Sequence, residues 1–97
     1  MTAQCLLEEL RSIKNKDVII CIGVTNKGLD AATNICIKDG EFIISNKIGG
    51  NFITVRKLAD YLLKINVKCT VKINFTGIYN IYSVNMYKSK YLILGSY

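Results

Sequence analysis

The residues of this 97-residue chain that could do chemistry are few and scattered. Cys5, Cys21, Cys36 and Cys69 are separated by 16, 15 and 33 positions, so none has the CxxC spacing that grips zinc or runs thiol exchange. Three of them stand in apolar runs, where a reduced cysteine acts as a small core hydrophobe. Histidine is absent from the sequence, which removes the commonest general base and metal ligand. Serines and cysteines are left as nucleophiles without a partner base, and no GxGxxG or GxxxxGK[ST] loop is present. Gly49-Gly50 precedes a helical stretch; a helix N-terminus can hold an anion, but a hinge is the plainer reading. Asp17, Asp39 and Glu41 complete the inventory. Asp17 opens the first strand-like run, while Asp39 and Glu41 flank the turn into the third. Convergence of these carboxylates would make a metal or acid–base site; separately they are solvated turn residues. The expectation is a protein with no catalytic residue, no metal and no cofactor.

The elements that would position these residues follow from periodicity. Ala3, Leu6, Leu7, Leu10 and Ile13 recur on one helical face and predict an amphipathic helix over residues 2–14, with Thr2 as its cap. Val18 to Val24 is apolar on both faces, the pattern of a central strand. "TNKG" at 25–28 is a turn signal, and a second strand is read over 31–37. Asp39-Gly40 then makes a hairpin turn into a third strand, "EFIIS". A second amphipathic helix is expected over 52–65, from the stripe Val55, Leu58, Ala59, Leu62 and Ile65. In "VKCTVKINF", Val67, Cys69, Val71, Ile73 and Phe75 alternate with Lys68, Thr70, Lys72, Asn74 and Thr76, giving one dry and one basic sheet face. "YNIYSVNMY" and "YLILGSY" supply two further strands around a turn at Lys88-Ser89-Lys90. The order α-β-β-β-α-β-β-β predicts a single α+β domain over residues 1–97, two helices packed on a mainly antiparallel sheet. The halves repeat this order at an offset near 51, with Asn15 against Asn66 and Ile22 against Ile73, too little identity to read as duplication.

Composition narrows the class. With 51% hydrophobic and 21% charged residues the chain is globular rather than disordered. The longest apolar run, residues 18–24, is far below the roughly 20 residues of a membrane-spanning helix, and the start lacks the pattern of a secretory signal. A cytosolic protein without membrane contact is expected. The formal charge of +6 favours phosphate backbones or an acidic protein surface, although the lysines are spread rather than blocked. Lys68, Lys72, Lys88 and Lys90 lie close in sequence to Tyr79, Tyr82, Tyr87 and Tyr91, a combination able to contact nucleic acid. No RNP signature is present. Tyrosine-rich strands with few charges fit a protein interface better, since an apolar edge or face must be covered by a homodimer mate or a larger partner.

One resemblance gives these readings a specific form. "LLEELRSIKNKDVIICIG", followed by an Asn-containing turn, a strand and "KDGEFIIS", resembles the first half of a small phage anti-CRISPR protein that inhibits Cas9. The resemblance covers roughly residues 6–45. It implies a non-catalytic inhibitor whose acidic strand ends imitate DNA phosphates in the groove where arginines read the target-adjacent motif. The matching positions are Asp17, Asp39 and Glu41. Beyond residue 66 this chain is basic and stranded where that family is acidic, so the resemblance implies an altered target or contact surface. The tail from Val71 to Tyr97 is also similar to the final meander of roadblock domains, dimeric scaffolds of GTPase regulators. The working expectation is a phage-type inhibitor that binds a protein or ribonucleoprotein defence effector, with Asp17, Asp39, Glu41, Lys68, Lys72, Tyr82 and Tyr87 as partner-binding candidates. A roadblock-like scaffold and a small basic RNA-binding module are the alternatives.

Overall fold

In the computed structural model, which describes residues 1–96, two short helices and eight strands alternate along the chain. The order is α1 (Ala3–Arg11), β1 (Ile19–Val24), β2 (Gly28–Ala31), β3 (Asn34–Lys38), β4 (Glu41–Ser45), α2 (Val55–Leu62), β5 (Val71–Asn74), β6 (Ile78–Asn80), β7 (Ser83–Tyr87) and β8 (Tyr91–Gly95). This is the α+β class expected from periodicity, with helix, strands, helix, strands in the expected order. The strands form two four-stranded sheets, β2-β1-β8-β7 and β3-β4-β5-β6. All neighbours are antiparallel except the central pairs, β1 with β8 and β4 with β5.

The second sheet arises because β2 forms over Gly28–Ala31, a stretch expected to be turn and connection, and because the expected strand over 79–87 is two strands. The run over 31–37 breaks at Ala32-Thr33, and "YNIYSVNMY" breaks at Ile81-Tyr82; β2 and β3, like β6 and β7, end in different sheets. Burial drives the break. Ala32 and Ile81 are 0% and 2% exposed, so the chain turns its middle residue into the core as it passes from one sheet to the other. Ala32 is further held by its N–H to the Ile20 carbonyl at 2.9 Å and by its own carbonyl accepting from Ile53 N at 3.0 Å.

Exchanging the two halves of the chain exchanges the two sheets: β2-β1-β8-β7 becomes β6-β5-β4-β3. The hydrogen bonds repeat accordingly. Ile20 N donates to Ile53 O and Val71 N to Met1 O, both at 2.8 Å; Val55 N donates to Val18 O at 2.9 Å and Ala3 N to Cys69 O at 2.8 Å. The caps repeat as well. Thr2 and Thr54 each leave the helix in extended conformation and accept, through the hydroxyl, from the N–H three residues on. Each cap is also part of a bridge, Thr2 to Thr70 and Thr54 to Ile19, so one short segment ends a helix and extends a sheet.

One core joins all layers. Leu6, Leu10, Leu58 and Leu62 of the helices meet Ile20, Ile22 and Leu94 of one sheet and Phe42, Ile44 and Ile73 of the other, all at most 1% exposed. Each such side chain contributes about 1.5–3 kcal/mol by leaving water, which explains how helices of nine and eight residues persist here when isolated helices of that length are marginal. Gly50 lies where the chain presses closest: a Cβ there would meet the Thr33 carbonyl oxygen at 2.8 Å. Gly50 is thus a packing requirement, while Gly49, at φ 85°, supplies the bend.

Candidate interaction surface

β1 is central, as its two-sided apolarity predicts. Ile20, Ile22 and Val24 enter the core, so Ile19, Cys21 and Gly23 point to the opposite, outer face. Register adds to this face Leu29 and Ala31 from β2, Tyr91 and Ile93 from β8, and Tyr87 from β7. The outer face is therefore apolar across β2, β1 and β8, while β7 adds Ser83 and Asn85 beside Tyr87. Gly23 keeps it flat, because without a Cβ the side chains of Leu29 and Ile93 close over the strand, 3.2 and 3.6 Å from where that atom would be.

Phe52, from the loop before α2, leans over one side of the face and is 59% exposed. Together with Ile19, Cys21, Leu29, Ala31, Tyr87 and Tyr91 it lines a groove of about 330 Å³, with Asp30 at the rim. Burial, and then the Asp30 charge, raise the Cys21 thiol above its ordinary 9.0, so it stays neutral. Lys88 lies 5.3 Å from the Tyr87 ring centroid, and Lys90 follows in the same turn. The face thus has an apolar centre with a basic margin at the β7–β8 turn.

The equivalent face of the other sheet shows what this scaffold does when the surface is wet. The exchange of halves puts Thr70, Lys72 and Asn74 in place of Ile19, Cys21 and Gly23. It likewise puts Glu41 in place of Tyr91, Lys38 in place of Tyr87 and Asn80 in place of Ala31. Lys72 Nζ and Glu41 Oε2 form an ion pair at 2.7 Å across that face. Ile43 and Ile78 keep the apolar character of Ile93 and Leu29, so the same topology carries one mainly apolar face and one of mixed, charge-paired character.

The candidates read from sequence are distributed over several places. Glu41 and Lys72 neutralise one another on the polar face. Asp39 occupies the β3–β4 turn with a left-handed backbone, φ 53°. Asp17 lies at the other sheet, beside Ser89 and Lys90 of the β7–β8 turn, and its carboxylate meets Arg56 at 3.5 Å in an exposed pair. The three carboxylates do not form a cluster, and among the described residues no group of three ligand-type side chains could hold a metal ion. Lys68 precedes β5 rather than standing on it, in a turn closed by Asn66, and Val67 is 48% exposed instead of core-facing. The alternation read from "VKCTVKINF" is strand only over Val71–Asn74. The tyrosines also divide. Tyr79 packs against the core beneath Lys27, Tyr87 and Tyr91 share the apolar face, and Tyr82 stands in the second crossover, 70% exposed, accepting from Asn80 Nδ2 at 3.1 Å. They make no continuous stacking row. Tyr97, read as the end of the last strand, lies outside the described residues.

Leu29, Asp30 and Phe52 were not singled out from sequence. Their signal was weak, one apolar residue in a turn-rich stretch and another in a glycine-rich joint, and only pairing register brings them together. No family model matches this chain, and no curated protein or solved structure matches it. Among the described residues no helix is long and apolar enough to cross a membrane.

Proposed function

We propose that this protein is a non-catalytic binding domain that acts by covering a surface of a larger protein assembly. The observation that carries the reading is the internal contrast: with Leu29 and Phe52, Ile19, Tyr87 and Tyr91 form an open apolar face, where the equivalent sheet bears Thr70, Lys38 and Glu41 in place of the last three. Tyrosines framing an apolar centre are the composition of interface hot spots. The basic margin at Lys88 and Lys90 favours a partner surface with acidic groups beside an apolar patch.

The narrower form of the proposal is a phage-type inhibitor of a CRISPR-type, nucleic-acid-handling effector in the host cytosol. Its support is the resemblance over residues 6–45. The separation of Asp17 from Asp39 and Glu41, and the pairing of Glu41 with Lys72, move the favoured contact from acidic strand ends to the tyrosine-bearing face. The experiment adds purified protein, and separately its Leu29→Lys/Tyr87→Lys variant, to guide-loaded CRISPR effectors of several types and measures target binding and cleavage. Inhibition by the wild type, lost in the variant, supports both levels. Unchanged activity with every effector removes the narrower one. A stable dimer that dissociates in the variant would transfer the face to a second copy of the chain, as in a roadblock-like scaffold.

A further inference from the structure

A second surface, separate from the apolar sheet face, lies between α2 and β3. Three hollows run into one another there through shared residues: Ile35 and Tyr61 join the first to the second, Ile37 and Ile65 the second to the third. Ile35 and Ile37 pair with Ile44 and Phe42 of the core and so lean toward the helix, where Ile37 remains 61% exposed. Lys57, Lys64 and Lys68 follow one another along the groove, and no acidic residue lines it. Lys57 and Tyr61 stand four residues apart on one face of α2, and Lys64 follows in the turn just beyond its end; Asp60, on the same helix, lies outside the lining. β3 is an outermost strand, hydrogen-bonded to β4 alone, which leaves its other edge open to pairing.

The counterpart in the other half shows that the charge is not imposed by the scaffold. Exchange of halves puts Val84 and Met86 in place of Ile35 and Ile37, which keeps the apolar floor. It puts Cys5, Ser12 and Asp17 in place of Lys57, Lys64 and Lys68. The apolar strand positions are common to both halves; the row of cations belongs to one.

The geometry points to the α2–β3 groove as a docking site for an extended, acidic segment of a partner protein, one that adds a strand to β3. Alternate side chains of an added strand point to opposite sides, so apolar residues of the segment would settle on Ile35 and Ile37 while backbone pairing supplies affinity. Carboxylates along the segment would meet the three lysines. Nucleic acid fits this groove less well, because its floor is largely aliphatic and, of the two rings lining it, Phe42 is buried and only Tyr61 is exposed for stacking.

The test uses a fluorescein-labelled peptide of alternating Glu and Val and, as its control, one of alternating Lys and Val, each titrated against the full chain by fluorescence anisotropy. The Glu–Val peptide is expected to bind, more weakly as salt rises, and to lose about tenfold in affinity with Lys57→Glu/Lys64→Glu. Lys88→Glu, at the other sheet, should leave binding unchanged. Lys57→Gln/Lys64→Gln serves in place of the reversal if circular dichroism shows that the reversal disturbs the fold. Absence of Glu–Val binding, equal binding of the Lys–Val peptide, or equal loss with Lys88→Glu overturns the proposal. So does a uridine oligonucleotide that binds more tightly than the peptide through the same lysines. Lys57 and Lys64, which carry the test, line the α2–β3 groove and not the sheet face, so the outcome is independent of the proposed function.

Discussion

Asn15 and Asn66 make the same turn 51 positions apart. The Asn15 Oδ1 accepts from the Asp17 N–H at 3.0 Å, and the Asn66 Oδ1 accepts from the Lys68 N–H at 2.9 Å. One residue further on, Val18 N and Cys69 N donate back to the carbonyls of the same two asparagines. Each asparagine thus closes the connection from a helix to the strand it feeds. The residue it presents differs in sign, aspartate in one half and lysine in the other, and a similar difference separates the two sheet faces. A backbone repeated in both halves with different surfaces is what lets one half be judged against the other.

If the two turns are equivalent, Asn15→Ala and Asn66→Ala should each cost about 0.5–1.5 kcal/mol, the net worth of one such hydrogen bond. Urea unfolding of both variants measures this. A cost confined to one of them would contradict the equivalence.

Gly50→Ala should destabilise by about 1–3 kcal/mol, since its Cβ would press into the Thr33 carbonyl and the neighbouring backbone must shift. Gly40→Ala meets no neighbour and is strained only by its φ of 76°. Its cost should be the smaller, about 1 kcal/mol. Thermal unfolding of the pair ranks the two effects, and the reverse order would show that the loop before α2 is not packed as described.

Cys21 should resist alkylation at pH 8 while Cys5 and Cys36, both exposed, react readily. The sign for stability follows from its raised pKa. The fold holds the thiol protonated, so the contribution is complete below 9.0 and is lost as pH rises through the higher folded-state value. Denaturation midpoints should therefore fall more steeply above pH 9 in the wild type than in Cys21→Ala. Parallel curves would mean that Cys21 is not buried against the outer face.

The two ion pairs should differ in worth. Arg56 and Asp17 are 63% and 77% exposed at 3.5 Å, so Arg56→Ala should cost less than about 0.5 kcal/mol. Glu41 and Lys72, shorter and about two-thirds or more covered, should show a larger coupling in a double-mutant cycle. Equal coupling energies would contradict this ranking.

The fold was legible where periodicity is strong. The stripe Leu6-Leu7-Leu10 and the stripe Val55-Leu58-Leu62 both form the helices they predict, and the two-sided apolarity of Val18–Val24 marks a central strand. The ends of elements were not. The second helix stops at Leu62 and the first at Arg11, because apolar residues beyond the last turn, Ile13 and Ile65, still pack on the core without helical backbone. The division into two sheets was hidden for a different reason. Ala32 and Ile81 continue the apolar character of their runs, and nothing local says that the chain crosses the core there. Of the site candidates, Tyr87 could be read from composition alone, but its neighbours Leu29 and Phe52 depend on register and on the Gly49-Gly50 bend.

The central claim is that the outer face of the β2-β1-β8-β7 sheet is a binding surface and not structural core. Its most direct measurement compares wild type with Leu29→Lys/Tyr87→Lys, recording the urea midpoint and the affinity for the guide-loaded effectors proposed above as partners. The account predicts an affinity at least about tenfold weaker at an unchanged midpoint, since both side chains are about half exposed. Unchanged affinity, or a loss of binding that merely follows a collapse in stability, would contradict it.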